Sequence, residues 1–371
     1  MKLLLEPVIF NLQNYGGISR YYTEILKGLL NNDEVSIVLP LYQTENLHLK
    51  NYHLGENAVV KAFGKSIPRR VKNYLRKKSN NDTLKLLSSN KFDLFIPTYY
   101  NPGFLKVIGT TPYVLTVHDM IHEIYPELEP GSTIVSDKKL LIESASKIIA
   151  VSEHTKKDIL LFYPHIPQEK IHVVYLAPSI SKSQGSLGRL RSIIGRKNYI
   201  LFVGNRSVYK NFTWFLQVVS NWLLENGITL LCLGGGSFTA EENQKITDLE
   251  LNDYVKQYTF KDQELYFFYN NAIAFVFPSA YEGFGIPILE AMYSGCPVLI
   301  PHRTSFPEVA GDAGIYFDLE DGQSLVLALE KLRTNPKYRE DLIERGLKRV
   351  SRFSWDKTVI ECLKVYKEAI C

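Results

Sequence analysis

Phe275-Val276-Phe277-Pro278-Ser279-Ala280-Tyr281-Glu282-Gly283-Phe284-Gly285-Ile286-Pro287-Ile288-Leu289-Glu290-Ala291 runs from an apolar strand, through a glycine-rich turn, into a helix. Gly283 and Gly285 permit backbone shapes and close approaches that a side chain blocks. Pro287 suits the first helical turn, where its missing N–H would be unpaired anyway. The helix start presents free N–H groups and the positive end of the helix dipole, an arrangement that binds anions. Glu290 falls about one turn inside the helix, and Glu282 lies on the loop before it. Spacing alone equally allows a Gly-Pro turn with two solvated glutamates, because short patterns take their meaning from context.

The same strand–turn–helix unit recurs on both sides of this segment. Lys2–Phe10 reads as a strand and Gly17–Leu30 as a helix after a Gly-rich turn. Val35–Leu39, Leu94–Pro97, Tyr113–Val117, Ile148–Val151 and Val173–Tyr175 read as further strands, with helical periodicity between several of them, as in Glu153–Phe162. Pro178–Lys197 is polar and lacks a strong apolar face, which predicts a connection between domains. The rhythm restarts at Tyr199–Val203 and continues through Thr229–Leu233, Tyr258–Phe260, Val298–Ile300 and Ile315–Phe317. Alternating strands and helices predict parallel sheets covered on both faces, here two tandem Rossmann-like doubly wound α/β domains. Ligands of such sheets bind beyond the carboxyl ends of the strands, so function is expected in the loops that follow strands.

Composition fits this reading. The chain has 371 residues, 45% hydrophobic and 22% charged, which excludes a disordered protein. No apolar run approaches the ~18 residues of a membrane-spanning helix. Glu6, Pro7 and Asn11 interrupt the apolar start before a signal-peptide core forms. Cys232, Cys296, Cys362 and Cys371 follow neither disulfide-framework nor zinc spacing, so a reducing cytoplasm is the expected compartment. Residues 1–185 hold 22 Lys and Arg against 17 Asp and Glu, and the remainder 21 against 22. Much of the excess lies in Lys65–Lys78, where Lys65, Arg69, Arg70, Lys72, Arg76, Lys77 and Lys78 are basic, with Ile67, Val71, Tyr74 and Leu75 at helical spacing beside them. This stretch is either a solvated helix or a patch for an anionic membrane surface. No nucleic-acid-binding module accompanies the charge, and nucleic acid is not expected as a partner.

Three more strand-end segments carry reactive residue types. Gly204-Asn205-Arg206-Ser207-Val208-Tyr209-Lys210-Asn211 follows the first strand of the second half; Arg can fork onto a phosphate and Lys can supply a point charge. Thr116-Val117-His118-Asp119-Met120-Ile121-His122-Glu123 ends a strand of the first half. Asn14-Tyr15-Gly16-Gly17-Ile18-Ser19-Arg20 joins the first strand to the first helix and is not a G-x-G-x-x-G dinucleotide fingerprint. Ser152 or Thr155 is placed to cap the helix after the next strand. Gly234-Gly235-Gly236 ends another strand, either as a plain turn or as part of a nucleotide cradle.

Together these segments resemble the retaining nucleotide-sugar glycosyltransferases of family 4, whose E-x7-E pattern matches Glu282 and Glu290. Thr304–Gly314 and Phe353-Ser354-Trp355-Asp356 are also similar to segments of that family. The resemblance spans residue 2 to about residue 370, looser in the first half. It implies the GT-B fold, two Rossmann-like domains facing a central cleft. An acceptor-binding domain would occupy 1–180, a linker 181–197, a donor domain 198–352, and a terminal helix returning to the first domain 353–371. It implies that Glu290 holds the ribose hydroxyls, that Glu282 lies by the donor sugar, and that the backbone of Phe284, Gly285 and Ile286 meets the sugar and its phosphates. Arg206 and Lys210 would hold the diphosphate, with Gly204, Gly16 and Gly17 lying along the donor, and His118 near the sugar's 6-hydroxyl. The expected reaction moves a hexose to a hydroxyl of a glycan or lipid-linked acceptor with retention. It needs no cofactor beyond the nucleoside diphosphate sugar itself and no metal, because no D-x-D pattern accompanies the site. Similarity to bacterial polysaccharide mannosyltransferases points to GDP-mannose and to polysaccharide or lipopolysaccharide synthesis, by a cytoplasmic protein, peripheral at the inner membrane face. A UDP-sugar donor and a non-catalytic sugar-nucleotide-binding subunit stay open. An epimerase has no use for the two glutamates, and a phosphorylase is usually longer and carries a pyridoxal lysine.

Overall fold

A computed structural model describes residues 1–50, 68–182, 187–194 and 198–371. It divides into two compact units, Met1–Leu176 with Ser354–Cys371, and Ala177–Phe353.

In the first unit β1 (Lys2–Leu5) pairs in parallel with β2 (Ser36–Val38) on one side and β3 (Leu94–Ile96) on the other. Expected to run to Phe10, β1 stops at Leu5, and Val8–Leu12 turns into a short helix. Pro7 is the cause: it has no N–H for a ladder and a φ that favours a helix start. Phe95 N donates to Pro112 O at 3.0 Å. A bridge from Phe95 to Tyr113 then leads to β4 (Val114–Val117), which begins the order β4 (Val114–Val117), β5 (Lys147–Ala150), β6 (Ile171–Val173). β6 lies two residues before the predicted Val173–Tyr175. The helix Gly17–Leu30 buries Tyr21, Tyr22, Ile25, Leu26 and Leu29, a stripe at three- and four-residue spacing. Helix Trp355–Ile370 covers it with Val359, Cys362, Val365 and Tyr366. At Gly28 a Cβ would come within 2.4 Å of Val359 Cγ2, so the two helices meet on a bare backbone.

The second unit is one six-stranded parallel sheet of β7 (Tyr199–Val203), β8 (Thr229–Leu233), β9 (Val255–Tyr258), β10 (Phe275–Val276), β11 (Val298–Pro301) and β12 (Gly314–Phe317), in the order β12-β11-β10-β7-β8-β9. β9 begins three residues before the predicted strand. All residues of β7 and β8 are buried, as expected for strands covered on both faces. The chain order reverses between β7 and β10, which makes the loops after these two strands the natural ligand-facing edge. Leu187–Ile194 differs from expectation. Read as linker, it forms a helix packed near β9, with Arg189 paired to Glu264 at 2.8 Å and lying over the Tyr258 ring. Half of its eight residues are Leu or Ile, which a reading of the whole 178–197 stretch as polar passes over.

Candidate active site

The loops after β7 and β10 lock together. Ala280 N donates to Tyr209 O at 2.7 Å, Asn211 Nδ2 donates to Pro278 O at 3.0 Å, and Lys210 Nζ pairs with the Glu282 carboxylate. Asn211 takes a left-handed backbone (φ 53°) that lets its amide reach back while it starts the next helix. Ser305 Oγ lies 3.0 Å from Glu282 O and 2.8 Å from Phe284 O, and so holds the glycine loop from below. Gly285 caps the helix Ile286–Tyr293 at φ +104°, where an added Cβ would lie 2.9 Å from Ile288 Cδ1. Only glycine takes that shape without strain. Glu290 is buried one turn inside this helix, while Glu282 is partly exposed. Lys210, Glu282, Phe284, Gly285, Ile286 and Glu290 are thus gathered at one edge of one sheet.

Arg206 goes elsewhere. Its Nε donates to Glu242 at 2.7 Å, and its Nη atoms reach the carbonyls of Gly234, Gly235, Gly236 and Ser237 at 2.9–3.4 Å. The side chain is 4% exposed and lies against the Phe238 and Phe212 rings. A guanidinium has five N–H donors: Nε serves Glu242, Nη1 the Gly234 carbonyl, and Nη2 the carbonyls of Gly235, Gly236 and Ser237. The geometry therefore separates the two cations expected on the diphosphate. Lys210 stands at the glycine loop, and Arg206 braces the triglycine turn, whose three residues all have positive φ. Gly204 sits between, its N–H donated to Leu233 O. Ser305 and Glu242 are not legible as parts of this edge. Only the Lys-Asn pair carried a signal, because a lone Ser or Glu in a helix start has many uses.

In the first unit, His118 follows β4. Its ring meets Tyr21 and Tyr22 edge-on at 5.1 and 5.8 Å, and its Nε2 is buried with no hydrogen-bond partner among the described residues. Burial pushes the imidazole pKa down to about 4, with Lys138 acting in the same direction and Asp119 against it. Asp119 Oδ1 accepts from Ile121 N at 3.1 Å, a local contact within the turn. Ser152 Oγ likewise accepts from Thr155 N at 2.9 Å. Gly16 begins the helix Gly17–Leu30, and a Cβ on Gly17 would meet nothing within 4 Å. Arg20 donates to Tyr15 Oη at 2.7 Å and is buried.

The basic stretch is a helix from Arg69 to Leu87; Lys65 and Ile67 lie outside the described residues. Lys72 and Arg76 turn to Glu45 (2.6 and 3.9 Å), and Lys78 lies over the Tyr42 ring. Arg69, Arg70, Val71, Tyr74 and Lys77 stay exposed. No helix among the described residues is long and apolar enough to cross a membrane.

Comparison with known proteins agrees with this geometry. The model of Glycosyltransferase Family 4 matches residues 15–177, and that of Glycosyl transferases group 1 matches residues 191–349. The O-antigen chain mannosyltransferase B of Escherichia coli is 28% identical over 72% of this chain and 74% of its own. The O-antigen chain mannosyltransferase RfbU of Salmonella typhimurium is 29% identical over 68% and 71%. Among solved structures, Anabaena HepE in complex with UDP and glucose superposes with a TM-score of 0.74 at 18% identity, covering 98% of each chain. The chain belongs to the family 4 glycosyltransferases and has their GT-B fold, its two units being the two Rossmann-like halves of that fold.

Proposed function

We propose that this chain transfers mannose from GDP-mannose to a hydroxyl of a glycan or lipid-linked acceptor in surface-polysaccharide synthesis, with retention of configuration. The observation that carries the reading is the Lys210–Glu282 pair at the reversal point of the second sheet, beside the start of the Ile286–Tyr293 helix and the buried Glu290. The mannosyl donor is supported by the bacterial relatives, both O-antigen mannosyltransferases.

Breaking the bond from the sugar's anomeric carbon to the diphosphate puts negative charge on the departing phosphate. Lys210 and the positive end of the Ile286–Tyr293 helix dipole would meet that charge without a divalent ion. Glu290 holds the ribose hydroxyls and Gly204 leaves room for the donor; the donor roles of Gly16 and Gly17, and that of His118 at the sugar's 6-hydroxyl, rest on the family resemblance. Glu282 is tied to an ammonium, which weakens it as a nucleophile. We therefore favour attack on the same face the diphosphate leaves: the acceptor oxygen bonds to the anomeric carbon, and its proton passes to the departing phosphate oxygen. Arg69, Arg70, Tyr74 and Lys77 would hold the protein at an anionic inner membrane face.

Calorimetric titration with GDP and UDP, with Glu290→Ala as control, tests the donor site. Tighter GDP binding that is lost in the variant supports the proposal, and tighter UDP binding replaces the mannosyl donor with a UDP-sugar. Product analysis with a full acceptor then tests turnover, and tight binding without transfer would make the chain a sugar-nucleotide-binding subunit. Activity unchanged by EDTA is expected. A loss that magnesium or manganese restores would overturn metal independence.

A further inference from the structure

Lys138 is the most deeply buried charge that the reaction above does not use. It lies in the helix Ile134–Ser144 with its side chain fully buried, and its partner Glu123 is 1% exposed. Its ammonium donates to Glu123 Oε2 at 2.8 Å and to Asp119 O at 3.1 Å, and it stands 4.9 Å from the centre of the Tyr100 ring. An ammonium has three N–H donors, so two receivers and one aromatic face account for all of them. Glu123 is held on its other oxygen by Tyr163 Oη at 3.2 Å. Tyr100 Oη in turn accepts the His118 N–H at 3.2 Å.

Every one of these ties ends on the turn that begins at His118. Lys138 grips its second residue through the Asp119 carbonyl and its sixth through the Glu123 carboxylate, and it packs on the tyrosine that holds its first. A buried ion pair is a poor way to gain stability, because apolar side chains of similar volume do as well or better. It does fix one geometry, and a reacting group displaced by about 1 Å can lose on the order of 100-fold in rate. We infer that Lys138, with Glu123, is a positioning residue that sets the His118 imidazole for the sugar. This inference rests on the transferase reading above.

The test uses the full chain carrying Lys138→Met together with Glu123→Gln, which removes both charges and leaves no unpaired ion. The folded double variant is expected to bind GDP as the wild type does, because Glu290 and Lys210 are untouched. Its kcat should fall on the order of 100-fold with the donor KM changed less than about threefold. The His118 imidazole signals in NMR spectra should move, which a purely structural role would not require. The groups around that ring are Asp119, Lys138, Tyr21 and Tyr22, and Tyr100 Oη holds the backbone N–H of the same residue. An unchanged kcat, or an unmoved His118 signal, in a folded variant overturns the inference. If the double variant does not fold, Lys138→Arg, which keeps the charge and changes the geometry, takes its place. Should the wild type transfer no sugar from any nucleotide sugar, the transferase reading fails, and the His118 signal still decides whether Lys138 sets the ring.

Discussion

Lys210 and Glu282 stand 72 positions apart in the chain and form a direct ion pair, their side chains 12% and 17% exposed. They come from the loops after β7 and β10, neighbours only because the sheet order reverses there. The pair holds a cation ready at the sheet edge, and a bound phosphate must share that cation with Glu282.

Loss of Lys210 should therefore cost more than loss of its partner. Lys210→Ala is expected to lower kcat/KM on the order of 100- to 1,000-fold, the usual cost of a preorganised charge donor. Glu282→Gln should cost less. The double variant should fall short of the product of the two effects, because contacting residues are not additive. A double-mutant cycle on kcat/KM checks this, and full additivity would show that the pair is not a unit.

The triglycine turn should tolerate change unequally. A Cβ on Gly235 would lie 2.6 Å from Arg206 Nη1 and 2.7 Å from Gly204 O, at φ +70°. Gly236 has nearly the same φ but open space. Gly236→Ala should cost only the left-handed strain of about 1–2 kcal/mol. Gly235→Ala adds overlap with a backbone carbonyl and should cost about 1–3 kcal/mol more. Urea unfolding of both variants measures the difference, and equal costs would mean that the Arg206 brace yields freely.

Stability should depend on pH through Glu6. This carboxyl is buried, accepts from Thr98 N at 2.9 Å, and is pushed up to about 7 by desolvation, against the lowering effect of its hydrogen bonds. The folded state then binds more protons than the unfolded one between about pH 4.5 and 7, so this group's contribution to stability falls as pH rises through that window. His118, lowered to about 4, works the other way: its contribution is lost as pH falls from about 6.5 to 4. Glu6→Gln isolates the first effect. Its stability relative to wild type should rise from pH 4.5 to pH 8 by about 3 kcal/mol. Urea midpoints across that range check it, and a flat difference would place Glu6 in an ordinary carboxyl environment.

Membrane binding should follow the exposed charges of the Arg69–Leu87 helix and not the paired ones. Arg70→Glu with Lys77→Glu should abolish co-sedimentation with vesicles containing anionic lipid, at about 1 kcal/mol for each basic residue lost near the surface. Lys72→Gln should change it little, since Lys72 already serves Glu45. Equal binding to neutral and anionic vesicles would sink the membrane reading.

Where a single local signal decided the outcome, the sequence was legible. Gly17–Leu30 and Thr229–Leu233 fall where the periodicity and the apolar run put them. Gly285 and Glu290 fall as the turn chemistry required. Where two signals competed, it was not. Pro7 ended β1 inside an apolar run, and Leu187–Ile194 is a short helix whose four apolar residues are outnumbered by the polar ones on either side of it. Arg206 shows the same limit in the site. Its neighbourhood in the chain points to phosphate, and its partners Glu242 and residues 234–237 are ones no local pattern links to it.

Thr358 Oγ1 donates to Tyr175 O at 2.7 Å, tying the point where the chain leaves the first unit to the point where it returns. A ribosome makes residues in order, so it completes 177–353 before it delivers the helix Trp355–Ile370. Until then the nascent first unit carries Tyr21 and the bare backbone at Gly28 without the helix that covers them. The half made first is thus the half finished last.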